Sequence, residues 1–144
     1  MTQQYLLKNN RGDSMIKVLR ESKETTYKYS VYQISRNLEK LKQEEDKEKY
    51  GYEKHYMFRP FEELEDGIVD RKLYIFVDDG EVQGNNVHDA CEELFKKYNS
   101  GNNPVRMRSM SVSDVIMLYS NGKVTLMYCD DIGFKEFTSN ETGW

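Results

Sequence analysis

Two hydrophobic periods divide this chain into elements. From Tyr27 to Ile34 (YKYSVYQI), Tyr27, Tyr29 and Val31 recur at every second position, the pattern of a strand with one covered face. Val115 to Tyr119 is a continuous apolar run, and Val124, Leu126 and Tyr128 alternate with Thr125 and Met127. Asn121-Gly122 lies between them. That dipeptide suits a type I′ hairpin turn, whose two central residues both need positive φ. The segment is therefore expected to form a central strand and its neighbour. Asp130-Asp131-Ile132-Gly133 reads as the next turn, after which Phe134 and Phe137 return to the core. Leu73 to Val77 is five apolar residues in a row, expected as a strand covered on both faces and closed by a turn at Asp78-Asp79-Gly80.

The other period is helical. Val87, Ala90, Cys91, Leu94, Phe95 and Tyr98 repeat at three- and four-residue spacing behind Asn86, a good N-cap, and Asn99 to Pro104 ends the run. Phe58-Arg59-Pro60-Phe61-Glu62-Glu63-Leu64 has the proline and carboxylates of a short helix start, stopped by Gly67. From Asn37 to Lys49 only Leu38 and Leu41 are apolar, which fits a solvated helix or an insertion rather than a core element. Residues 1–24 are weakly specified, with Met15–Leu19 compatible with an edge strand. This order of elements predicts an α+β fold, a small, largely antiparallel sheet with helices packed on one face. It would occupy 25–139, with an extension at 1–24, a charged insertion at about 37–54 and a tail at 140–144.

Composition narrows the class. A chain of 144 residues with 38% apolar content suits one domain. Cys91 and Cys129, in a helix face and at a strand end, read as free thiols in a reducing compartment. No apolar run approaches the roughly 18 residues of a membrane span, and Met1-Thr2-Gln3-Gln4 does not open a signal peptide, so a soluble, cytoplasmic protein is expected. The net charge of −4 is unevenly spread: residues 62–93 carry 11 acidic and 2 basic side chains, whereas residues 1–61 carry 9 and 13.

Candidate chemistry is sparse. His88 and Cys91 stand three apart on the expected helix, but a zinc site needs about four ligands and no CxxC or HxxxH supplies the rest. The ordinary alternative is a packed cysteine beside a surface histidine. Asp78-Asp79 and Asp130-Asp131 lack the ligand spacing of a calcium loop and suit solvated turns. No Gly-rich phosphate loop or nucleophile elbow is present in the sequence. Neither a catalytic set, a metal nor a cofactor is expected. Arg106 and Arg108, with Lys96 and Lys97, could neutralise only a few phosphates. Ser111 and Ser113 ahead of Asp114 suit backbone hydrogen bonding at a strand start.

Four peptides in order, Tyr29-Ser30-Val31-Tyr32-Gln33-Ile34, Phe58-Arg59-Pro60-Phe61-Glu62-Glu63-Leu64, Ser109-Met110-Ser111-Val112-Ser113-Asp114-Val115-Ile116 and Tyr128-Cys129-Asp130-Asp131-Ile132-Gly133-Phe134, resemble the YodL-like domain over about residues 27–137. The resemblance implies a small domain common on phage, plasmid and conjugative-element proteins, with no established catalytic residues. Joined to the acidic block, it leads to an expected role as a non-enzymatic inhibitor of a host nucleic-acid-targeting defence protein, such as a CRISPR effector. Asp78, Asp79, Glu81, Asp130 and Asp131 would occlude a basic nucleic-acid or PAM-reading surface. The alternative is an accessory domain that binds nucleic acid through Arg106, Arg108, Lys96 and Lys97.

Overall fold

The alternation at Tyr27–Ile34 builds strand β1 (Thr25–Ile34), and this strand, the first among the described residues, lies inside the sheet rather than at its edge. In the computed structural model, which describes residues 24–139 and 142–144, β1 is paired on one side with β2 (Tyr74–Gly84) and on the other with β3 (Val115–Ser120). The hairpin partner β4 (Lys123–Cys129) and the short β5 (Phe134–Phe137) complete an antiparallel sheet of order β2-β1-β3-β4-β5. Asn121 and Gly122 have φ of 52° and 75°, the two positive values the expected hairpin turn requires. Helices α1 (Arg36–Tyr50) and α2 (Val87–Lys97) make the fold α+β. The expected edge segment Met15–Leu19 lies outside the described residues.

Register separates two cores, one on each face of the sheet. Tyr29, Val31, Ile116, Leu118 and Met127 meet Ala90, Cys91 and Leu94 of α2, with Tyr98 beyond it. On the opposite face Ile34, Tyr74, Val115, Leu126, Tyr128 and Phe137 are covered by a segment of short 3₁₀ turns that contributes Phe61, Leu64, Val69 and Leu73. That face is closed by Trp144. Trp144 sets its ring edge-on to Tyr32, Tyr74 and Phe137 at centroid distances of 5.2–5.8 Å, and its Nε1 donates to Val69 O at 2.7 Å. Trp144→Ala is expected to cost about 2 kcal/mol, measured by urea denaturation followed by far-UV circular dichroism.

Two elements differ from their sequence reading. The acidic stretch Asp78-Asp79-Gly80 is not a turn, because β2 continues through it in register with β1 as far as Gly84. Two partners outside the strand hold it straight. The Asp78 carboxylate accepts from Tyr98 Oη at 2.6 Å, and the ring of Tyr29 fills the space a side chain at Gly80 would need. Nor is Leu73–Val77 covered on both faces: among the described residues β2 is an edge strand, and Ile75 and Phe76 are 38% and 40% exposed.

The charged stretch after β1 is helical, capped by Ser35 Oγ accepting from Leu38 N. It docks through polar groups. Glu39 Oε2 accepts from the backbone N–H of Tyr56 and of Met57, both at 2.8 Å, Gln43 donates to Lys54 O, and the buried Asp46 accepts from Tyr56 Oη.

Candidate functional site

At the end of β2 the chain turns through Gly84-Asn85-Asn86, and Asn86 Oδ1 caps α2 by accepting from Asp89 N at 2.9 Å. Helical geometry then sorts the side chains. Ala90, Cys91 and Leu94 face the sheet, which leaves Asp89, Glu92, Glu93 and Lys96 on the outer surface at three- and four-residue spacing. Between this surface and the last residues of β2 runs an open groove of about 920 Å³. Its charged lining is Glu24, Glu81, Asp89, Glu92 and Glu93 against the one cation Lys96, whose ammonium lies 3.4 Å from Glu93 Oε2. Glu92 also borders a smaller hollow of about 220 Å³ with Phe95, Asp130, Asp131 and Phe134. Carboxylate-bearing residues thus occur from Glu81 across α2 to the β4–β5 turn, an acidic band in which Glu92 borders both hollows.

The five acidic residues singled out in the sequence fall in different places. Glu81 lies at one end of the band and Asp130-Asp131 at the other. Asp130 has a structural duty, since its Oδ1 accepts from Phe61 N and from Asp131 N, both at 3.0 Å. Asp131 Oδ1 accepts from Ile132 N, and its residue is exposed. Asp78 closes a buried chain: Tyr98 Oη is 2.7 Å from Tyr29 Oη as well as 2.6 Å from the carboxylate. Burial, reinforced by Asp78 and then Tyr29, raises the Tyr98 phenol well above its ordinary pKa. Asp79 borders another hollow with Lys28, Ser30, Met117 and Tyr119, and Glu81 lines this one as well. The two doublets do not form one patch, because β2 and β4 are three strand spacings apart, about 14 Å. Asp89, Glu92 and Glu93 link the ends. Their signal was present in the sequence as the polar complement of the apolar helix stripe inside the acidic block.

The basic residues do not converge. Lys97 Nζ donates to Tyr29 Oη at 3.0 Å and lies against the Tyr29 and Tyr98 rings, Arg108 donates to Ile34 O at 3.0 Å, and Lys96 pairs with Glu93. Arg106 is exposed. The sulfur pair is also unlike a reactive site: burial pushes the thiols of Cys91 and Cys129 up to about 12, whereas His88 is exposed. Among the described residues, no three His, Cys, Asp or Glu side chains are arranged to hold a metal ion, and no helix is long and apolar enough to cross a membrane.

The Ser111-Val112-Ser113-Asp114 stretch instead ties the fold together. Ser113 has φ of 86° and joins three segments: its N–H donates to Cys129 O, its Oγ accepts from Phe58 N, and its carbonyl accepts from Tyr74 Oη. Asp114 is 1% exposed, and its Oδ2 accepts from Gln33 Nε2 and Ser111 N, each at 2.9 Å. Burial raises its carboxyl to about 7 despite those two donors and the nearby Arg108. Gln33 in turn accepts from Arg108 N and donates to Arg108 O, so β1 is clamped to the loop ahead of β3.

No curated protein and no solved structure matches the chain. The family model of the YodL-like domain matches residues 28–139, a span that begins within β1, ends just after β5 and includes the Ser113–Asp114 clamp, and the chain belongs to that family.

Proposed function

We propose that this is a non-enzymatic interaction protein of a phage or related mobile element, and that it inhibits a nucleic-acid-targeting defence protein, such as a CRISPR effector, in the host cytoplasm. The carrying observation is the acidic band, in which Glu81, Asp89, Glu92, Glu93 and Asp131 face outward with Lys96 as the one cation among the groove's charged side chains. Enzymes that hold nucleic acid present positively charged channels, so a rigid acidic surface competes for the same site through complementary fields. Asp89, Glu92 and Glu93 carry the central part of the reading, while Asp78 and Asp130 serve the fold. Direct nucleic-acid binding has less support, since Lys96, Lys97 and Arg108 are engaged within the protein.

Affinity capture from host lysate at low and high salt tests the proposal. A partner should be retained at low salt and released as screening shortens the reach of the charges. The double reversal Glu92→Lys/Glu93→Lys should weaken capture at least tenfold, about 1.4 kcal/mol, whereas Asp79→Lys should leave it nearly unchanged. Capture indifferent to salt and to the double reversal would exclude acidic occlusion. A gel shift with DNA or RNA at moderate salt would instead favour the accessory nucleic-acid reading.

A further inference from the structure

β2 is a long strand at the edge of the sheet, and among the described residues nothing pairs with its outer side. An edge of this kind presents every second N–H and C=O to whatever lies alongside, which makes it a template for another strand. The register with β1 shifts between Val31 and Tyr32, and beyond that irregularity seven consecutive pairs, Val31↔Asp78 to Thr25↔Gly84, run without interruption. A regular run of seven residues matches the length of an ordinary added strand. Proteins also protect edges with bulges and charges, and Asp78, Asp79 and Glu81 do protect this one against an acidic neighbour, including a second copy of the same edge.

The carboxylates beside the end of the strand select a different occupant. Beside the last four residues of this run lies the open groove bounded by Glu81, Asp89, Glu92 and Glu93. A strand laid against β2 would have alternate side chains directed toward the α2 side of the sheet. Lysine or arginine at those positions would be met by the α2 carboxylates, and the main chain would complete its hydrogen bonds on β2. We propose that the outer edge from Asp78 to Gly84 takes an extended, lysine- or arginine-bearing segment of a partner protein as a sixth strand. This deepens the interaction reading above and rests on it for its biological setting, while its chemistry is testable alone.

Three acetylated ten-residue peptides serve as probes of the full-length protein: alternating Lys-Thr, alternating Glu-Thr, and Lys-Thr N-methylated at every second residue. Amide hydrogen exchange followed by NMR reads the contact. The Lys-Thr peptide is expected to slow exchange at alternate amides of Asp78–Gly84, with N-methylation weakening binding at least tenfold and the Glu-Thr peptide inert. Equal binding of the N-methylated peptide would overturn strand addition and leave charge attraction alone. Protection of the outward amides in the free protein would overturn it too, by showing an edge already covered; dependence on protein concentration would identify a second copy, and independence would identify residues 1–23 of the same chain. If the edge fails while salt-sensitive capture from lysate persists, acidic occlusion stands without strand addition. Peptide binding without capture would instead remove occlusion and keep the edge.

Discussion

Replacing Asp114 with alanine is expected to destabilise the fold by about 3 kcal/mol, because the Gln33 amide and the Ser111 N–H would lose a shared buried acceptor. The pH dependence separates this residue from a generic core site. Its folded-state pKa of about 7 stands above the unfolded value, so between about pH 4 and 7 the folded protein holds a proton that the unfolded chain has released. The stability conferred by that proton is fully present on the acid side and is lost as pH rises toward 7. A shift of about three units corresponds to roughly 4 kcal/mol. Urea denaturation at pH 5 and pH 8 should show the wild type losing stability relative to Asp114→Asn, which keeps the shape and carries no titrating group. Parallel behaviour of the two proteins over this range would mean that Asp114 stays charged in the folded state.

Gly84→Ala is expected to be nearly as damaging for a steric reason. A Cβ at this position would lie 2.7 Å from Ala90 N and 3.1 Å from Ala90 Cα, both backbone atoms of α2 that no rotamer change can move aside. Either the helix or the strand end must shift, at a cost of about 2–3 kcal/mol. A fall of roughly 6–10 °C in Tm should follow. Gly80→Ala is the comparison, since the atoms nearest its new Cβ belong to the Tyr29 side chain, at 3.0–3.2 Å, rather than to backbone. A smaller loss for Gly80→Ala, read from thermal melts of both variants, checks the distinction. Displacement of α2 would also carry Asp89, Glu92 and Glu93 with it, so Gly84 fixes the acidic band as well as the core.

What could be read from the sequence was what local chemistry determines. The Asn121-Gly122 hairpin, the Asn86-capped helix and the buried stripe Ala90, Cys91 and Leu94 depend on neighbours a few residues away. Asp78-Asp79-Gly80 looked like a turn because the groups that make it a strand, Tyr98 and Tyr29, are remote in sequence. Helix α1 was ambiguous for a related reason. Its docking is carried by Glu39 on backbone N–H groups, Gln43 on a backbone carbonyl and Asp46 on the Tyr56 hydroxyl, polar contacts that a hydrophobic pattern does not register. The acidic block is visible as composition, and Asp89, Glu92 and Glu93 stand in it as the polar complement of the apolar helix stripe. Whether Asp78-Asp79 and Asp130-Asp131 share a surface depended on strand order, which charge spacing does not contain.

The position of β1 sets the order in which the fold can be assembled. The β3–β4 hairpin needs only a two-residue turn, whereas Val31 must find Ile116 on one side and Asp78 on the other. Closing such long loops costs entropy before any pairing returns it, so the local hairpin forms early and the β1 contacts late. During synthesis the problem is sharper. Of these strands β1 leaves the ribosome before β3, and Tyr29 and Val31 must wait without their β3 neighbours until Leu118 and Ile116 have emerged. Until then β1 can pair with β2 on one side, while its other side, the one that meets β3, stays open.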